Sequence, residues 1–177
     1  TAMGELGKLG DAFGTFIIMH LQNAVFRRPG NEHTRTPHFL LIDEAPRYLN
    51  PDLERLLAIG RSFRCACFLA LQSLGQLKLE ERAGFTQIVM NNCQNKIVFG
   101  GVSEEDAITF EREFGKHEVV TIRASYKDIL KPQLFPNSLQ RSTTLQPRFP
   151  YTQIIDLDDF RFIYRLAKGG GLGEPGI

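Results

Sequence analysis

The sequence has almost no net charge: 21 Lys and Arg stand against 20 Asp and Glu, a formal +1. A chain so balanced has no global basic field for nucleic acid, so any such contact has to come from a local patch. Cysteine is scarce. Cys65, Cys67 and Cys93 are odd in number, which argues against a disulfide scaffold and for a reducing compartment. There is no CxxC, and His20, His33, His38 and His117 have no metal-ligand spacing. Cys65 and Cys67 therefore read as neighbours on one face of a buried strand, and His20 as a core residue on an apolar helix face. Long apolar runs are missing too. The longest uncharged stretch, residues 12–26, contains His20, Gln22 and Asn23 and is shorter than the ~20 apolar residues of a membrane span. No signal-peptide pattern opens the sequence, and Thr1-Ala2-Met3 reads as a junction rather than a natural start. What is present is ordinary for a globular domain: 42% apolar and 23% charged residues, enough for a sizeable core.

Residues 4–27 have the helical spacing, with Leu6, Leu9, Phe13, Phe16, Ile17, Leu21 and Ala24 as the expected inner face. Gly7, Gly10 and Gly14 form a small-residue stripe that allows a neighbour to approach closely. Residues 39–42 are a continuous apolar run, the pattern of a strand buried on both faces of a parallel sheet. Asn50-Pro51-Asp52 supplies an N-cap, a proline at N1 and an early acid for the next helix. Further strands are expected at 65–71, 96–99 and 119–122, and further helices at 83–92 and after Ser103, whose spacing to Asp106 resembles a capping box. The alternation predicts an α/β fold with a largely parallel sheet flanked by helices. Residues 125–150 are rich in Pro, Gln, Ser and Thr and read as a basic arm or loop. A last strand is expected at 160–166, with Phe160, Phe162 and Tyr164 on one side, and the glycines at 169–173 as a flexible tail. The organisation expected is thus 1–124, 125–150 and 151–177.

The sharpest chemical signal is Phe39-Leu40-Leu41-Ile42-Asp43-Glu44. Four apolar residues followed by Asp-Glu is the Walker-B pattern. A buried strand delivers its carboxylates rigidly to the carboxyl edge of the sheet, where ligands of α/β folds bind. Asp43 is then expected to hold Mg²⁺ through water, and Glu44 to polarise an attacking water. Gln72 ends the next strand, where its amide can touch both a γ-phosphate and that water. Arg61 precedes that strand and is a candidate for neutralising charge on a neighbour's γ-phosphate.

Together these residues carry a resemblance. The stretch FLLIDEAPRYLNPDLERLLAIGRSFRCACFLALQSLGQL, followed by IVMNNCQNKIVFGGVSEEDAITFEREFG, is similar to the conjugative coupling ATPases of the TraG/TraD type. These are RecA-like hexameric motors related to the FtsK and HerA translocases. The likeness is good over residues 6–115 and loose beyond. It implies a partial RecA-like, P-loop NTPase fold. It also implies Asp43 and Glu44 as the Walker-B pair, Arg61 as an arginine finger and Gln72 as a sensor glutamine. The partners implied are ATP and Mg²⁺ in the full-length protein, DNA (single-stranded), and relaxosome and type IV secretion components. The setting implied is a homo-hexamer on the cytoplasmic side of a bacterial inner membrane. One family element is missing: the 177 residues contain no GxxxxGK[ST] loop.

Lys127, Lys131 and Arg141, with Tyr126 and Phe135, make the arm a candidate DNA contact. A competing function is a non-catalytic docking module for relaxosome or secretion-channel proteins. Without a phosphate cradle and its lysine, the main contacts to β- and γ-phosphates are absent. The 177-residue chain alone is therefore expected neither to bind ATP tightly nor to hydrolyse it. A phosphate-release assay checks this, and turnover that disappears in Glu44→Gln would contradict it.

Overall fold

A computed structural model describes residues 7–48, 50–78, 84–125, 138–168 and 171–177. Two compact units emerge. One is drawn from residues up to Lys96 and from Leu166–Leu172, the other from Ile97–Arg165 and Gly173–Ile177.

The first unit opens with helix α1, Lys8–Phe26. Its inner face differs from the expected one. Gly10, Gly14, Ile18, Gln22 and Val25 are buried, while Leu9, Phe13, Phe16 and Leu21 are exposed. The glycine stripe decides this. A Cβ at Gly14 would lie 2.3 Å from Cε1 of the Tyr48 ring, so the bare backbone is what lets the helix settle against that ring. The large side chains then turn outward. His20 turns out with them and stacks edge-on with Phe16 at 4.3 Å, so it is not the core histidine expected.

Strand β1, His38–Ile42, pairs in parallel with β2, Cys65–Leu69. Between them the chain makes a 3₁₀ turn, Ala45–Tyr48, then helix α2, Pro51–Ile59, then a second 3₁₀ turn, Gly60–Phe63. The Asn50 carboxamide oxygen accepts from the Leu53 amide at 2.9 Å, the cap that the sequence promises. Leu40, Ile42 and Cys65 pack with Ile18, Val25, Leu53 and Leu56 into one core. Cys67 joins that side, sharing a face with Cys65 as expected. The opposite face of the pair is open: Phe39 is 60% exposed and Leu41 73%. The continuous apolar run therefore does not mean burial on both faces within this chain. A third 3₁₀ turn, Leu74–Leu77, and helix α3, Phe85–Asn92, follow. A short antiparallel pair, β7 (Ala167–Lys168) with β8 (Gly171–Leu172), belongs to this unit, so the glycine-rich end is not wholly the flexible tail expected.

The second unit carries β3 (Lys96–Phe99) from Ile97 onward, α4 (Glu104–Phe114), β4 (Lys116–Ser125), β5 (Ser138–Pro147), α5 (Tyr151–Ile155) and β6 (Phe162–Arg165). β3 pairs with β6, and Val98, Ala107, Phe114, Ile154 and Ile163 form the core. Ser103 Oγ accepts from the Asp106 amide at 3.3 Å at the start of α4. In β6 the buried side is Ile163 and Arg165, whereas Phe160 is 96% exposed. The strand is shorter than the 160–166 expected, leaving Phe160 before it, and the side away from Phe162 and Tyr164 is the buried one. What permits Arg165 on that side is Glu113. Its carboxylate sits 2.7 Å from Arg165 Nη2, and its main-chain carbonyl accepts from Nη1.

β4 and β5 form a ten-pair antiparallel ribbon. This corrects the reading of 125–150 as an arm or loop: residues 138–147 are strand, and the expected boundary at 124 falls inside the ribbon. Residues 126–137 lie outside the described residues. Among the described residues the strands pair two by two instead of forming one continuous sheet, and β1 with β2 carries the parallel pairing expected.

A Cβ at Gly100 would sit 2.6 Å from the Leu157 carbonyl oxygen. Main chain cannot swing aside as a side-chain tip can. Gly100→Ala is therefore expected to destabilise the chain by about 1–3 kcal/mol, read as a lower urea midpoint.

Candidate functional site

The parallel ladder continues past the ends of β1 and β2. The Ala70 amide donates to the Ile42 carbonyl at 3.0 Å, and the Ala45 amide donates to the Ala70 carbonyl at 3.0 Å. With Ile42 opposite Leu69, both strands stop at the same level and their following residues share one rim. Asp43, Glu44, Pro46, Arg47, Ala70, Leu71, Gln72 and Gln76 line a cavity of about 390 Å³ there.

The local chemistry holds the acids in place. Asp43 Oδ1 accepts from the Glu44 amide at 2.9 Å. Glu44 has φ of 49°, a left-handed conformation that a non-glycine residue seldom takes and that clusters at functional sites. Its Oε2 lies 2.9 Å from Arg47 Nε, three residues on in the 3₁₀ turn. Arg47 Nη1 also reaches Asp11 of α1 at 3.7 Å. These groups are about half exposed, so the pairs orient side chains more than they stabilise the fold. On the facing loop, Gln76 Oε1 accepts from the Gln72 amide at 3.2 Å, and Ser73 Oγ accepts from the Gly75 amide at 3.0 Å. Ser73 and Gln76 complete a capping box.

Asp43, Glu44 and Gln72 are thus brought together. Arg61 is not: it is exposed, in the turn before β2, at the opposite end of that strand from Gln72. Arg141 is on β5, opposite Ile122, in the second unit. Lys127 and Lys131 lie outside the described residues. Sequence reading missed Arg47 and Gln76. The Ser73-x-x-Gln76 spacing is a legible capping signal. Arg47 had no signal beyond its place three residues after Glu44.

A family model described as "TraM recognition site of TraD and TraG" matches residues 37–159. This chain belongs to the TraD and TraG family. Among solved structures it is similar to the unbound monoclinic form of the bacterial conjugative coupling protein TrwBdeltaN70, with TM-score 0.68 and 20% identity, covering 86% of this chain and 34% of that one. It is also similar to the plasmid coupling protein TrwB in complex with the non-hydrolysable GTP analogue GDPNP, with TM-score 0.64 and 20% identity, covering 96% and 36%. The TraD/TraG chain therefore has the α/β fold of part of these solved coupling proteins, and spans about a third of their length. No curated protein sequence matches it. No helix among the described residues is long and apolar enough to cross a membrane.

The cysteines behind the rim are packing groups. Burial pushes the Cys67 thiol from 9.0 up to about 12, helped by Cys65 beside it, and burial also raises Cys93. A thiol that keeps its proton when folded but loses it near pH 9 when unfolded favours the folded state only up to the unfolded value. Stability is therefore expected to fall as pH rises from 9 toward 12. Urea midpoints for Cys67→Val should fall less over that window than those of the unaltered chain.

Proposed function

We propose that the chain is the Walker-B side of a DNA-translocating coupling ATPase acting in conjugation. The supporting observation is that adjacent parallel strands end together, so that Asp43, Glu44 and Gln72 line one cavity. The Glu44 amide fixes one Asp43 oxygen and leaves the carboxylate at the rim. That suits Mg²⁺, which takes one or two carboxylates and keeps several waters; when bound, the ion supplies charge neutralisation for the phosphates. Glu44 orients the attacking water and takes its proton. Gln72, from the adjoining strand, contacts that water and the γ-phosphate. Arg61, remote from this cavity along β2, suits a finger that completes a neighbouring subunit's site in a hexameric ring. The phosphate loop comes from another part of the coupling protein, so ATP turnover belongs to the full-length assembly. DNA (single-stranded), relaxosome and type IV secretion proteins are its partners at the inner face of the membrane.

A second reading, a docking module for a relaxosome protein, is favoured by the description of the matched family as a TraM recognition site. The two readings are separable in a full-length coupling protein that includes the phosphate loop. The motor reading expects Glu44→Gln to cut kcat by at least about a hundredfold with KM little changed, since a lost water-activating group acts on the transition state. DNA transfer should fall in parallel. Normal transfer by Glu44→Gln would leave the docking reading.

A further inference from the structure

Among the described residues that line the rim cavity, Arg47 carries the one positive charge. It is tied to Glu44 twice. Its main-chain amide donates to the Glu44 carbonyl at 3.0 Å, and its Nε lies 2.9 Å from Glu44 Oε2. The first contact closes the 3₁₀ turn, in which Pro46 has its φ fixed by its own ring. The second ties the two side chains together across that turn. Beyond Glu44, Arg47 Nη1 lies 3.7 Å from Asp11 Oδ1, in the first turn of α1. That helix is seated on the same 3₁₀ turn through the Tyr48 ring against Gly14. The guanidinium thus has the candidate water-activating acid on one side and an acid of a separate element on the other.

We propose that Arg47 is a positioning residue for Glu44: braced by Asp11, it holds one oxygen of the Glu44 carboxylate so that the other is presented to the attacking water. This role rests on the motor reading and adds the group that aims its acid. In that reaction the water oxygen bonds to the γ-phosphorus, the bond to the β-phosphate oxygen breaks, and the water proton passes to Glu44. The left-handed φ of 49° sets where the Glu44 side chain starts but not where its carboxylate ends. A glutamate about half exposed keeps several rotamers unless something holds it, and a water-activating group has to stay within hydrogen-bond reach of its water. Exposed ion pairs contribute little to stability, so the effect of this one falls on orientation. A guanidinium suits the task because its planar fork meets two acids at once, through Nε and Nη1, where an ammonium offers a point charge.

The test is steady-state phosphate release by a full-length coupling protein that includes the phosphate loop, with far-ultraviolet circular dichroism of each variant to exclude loss of the fold. Arg47→Ala is expected to lower kcat about tenfold with KM within about twofold. Arg47→Lys, which keeps the charge, should recover about threefold of that loss. Asp11→Asn should lower kcat by about twofold to threefold and add nothing to Arg47→Ala. In a Glu44→Gln background, Arg47→Ala should change kcat by less than about twofold, because the acid it aims is gone. Equal losses from Arg47→Ala with and without Glu44 overturn the positioning role, since a purely structural arginine acts in both backgrounds. A raised KM with kcat kept also overturns it, by assigning Arg47 to the nucleotide itself, and so does raised turnover, which makes the arginine a restraint. Unchanged kcat in Asp11→Asn overturns the brace. Full turnover in Arg47→Ala with turnover lost in Glu44→Gln overturns the positioning role alone, whereas full turnover in Glu44→Gln overturns the motor reading beneath it.

Discussion

The candidate site depends on one pairing, the parallel ladder between β1 and β2. Ile42 faces Leu69, and two further main-chain bonds carry the ladder past both strand ends. That register brings Asp43, Glu44 and the loop bearing Gln72 to one rim, where they line the same cavity. A slip by one residue would turn Leu40 and Ile42 out of the core and expose them, so packing and site geometry are held by the same constraint. The core beneath, with Leu53 and Leu56 from α2 and Ile18 and Val25 from α1, fixes the register because only one alternation buries it.

The same logic explains where the polar groups at the rim find partners. The reverse turn after β1 puts Glu44 at positive φ, and Arg47 closes back on it within the next turn. The loop after β2 is tightened by Ser73 and Gln76. Each wall of the cavity is thus a short capped turn fixed to a strand end. Catalytic constellations are well served by such turns, because the strands supply rigidity and the turns supply exposed side chains.

The apolar surfaces left open follow a pattern. Phe39 and Leu41 on the sheet, Leu9, Phe13 and Phe16 on α1, and the Val120 face of the ribbon are all exposed. A two-stranded sheet has only two faces to cover, and helices lie over only one of them here. The chain spans about a third of the solved relatives, whose fold it shares.

Sequence alone settled whatever local chemistry dictates: the Asn50 cap, the Ser103 cap, the strand at 96–99, the shared face of Cys65 and Cys67, and the acids at the end of the first strand. It also placed Gln72 after the next apolar run, although that strand, expected over 65–71, ends at Leu69 and leaves Gln72 in the following loop. Only the tertiary structure decided which face of each element turns inward. α1 turns its Gly14 side inward because the Tyr48 ring presses against Gly14, and β6 buries Arg165 because Glu113 receives it. The ribbon strand at 138–147 was likewise hidden, since its Ser, Thr and Gln residues have no apolar period and take strand form only by hydrogen bonding to β4. Partners distant in sequence supply the free energy for these choices, and no local pattern encodes them.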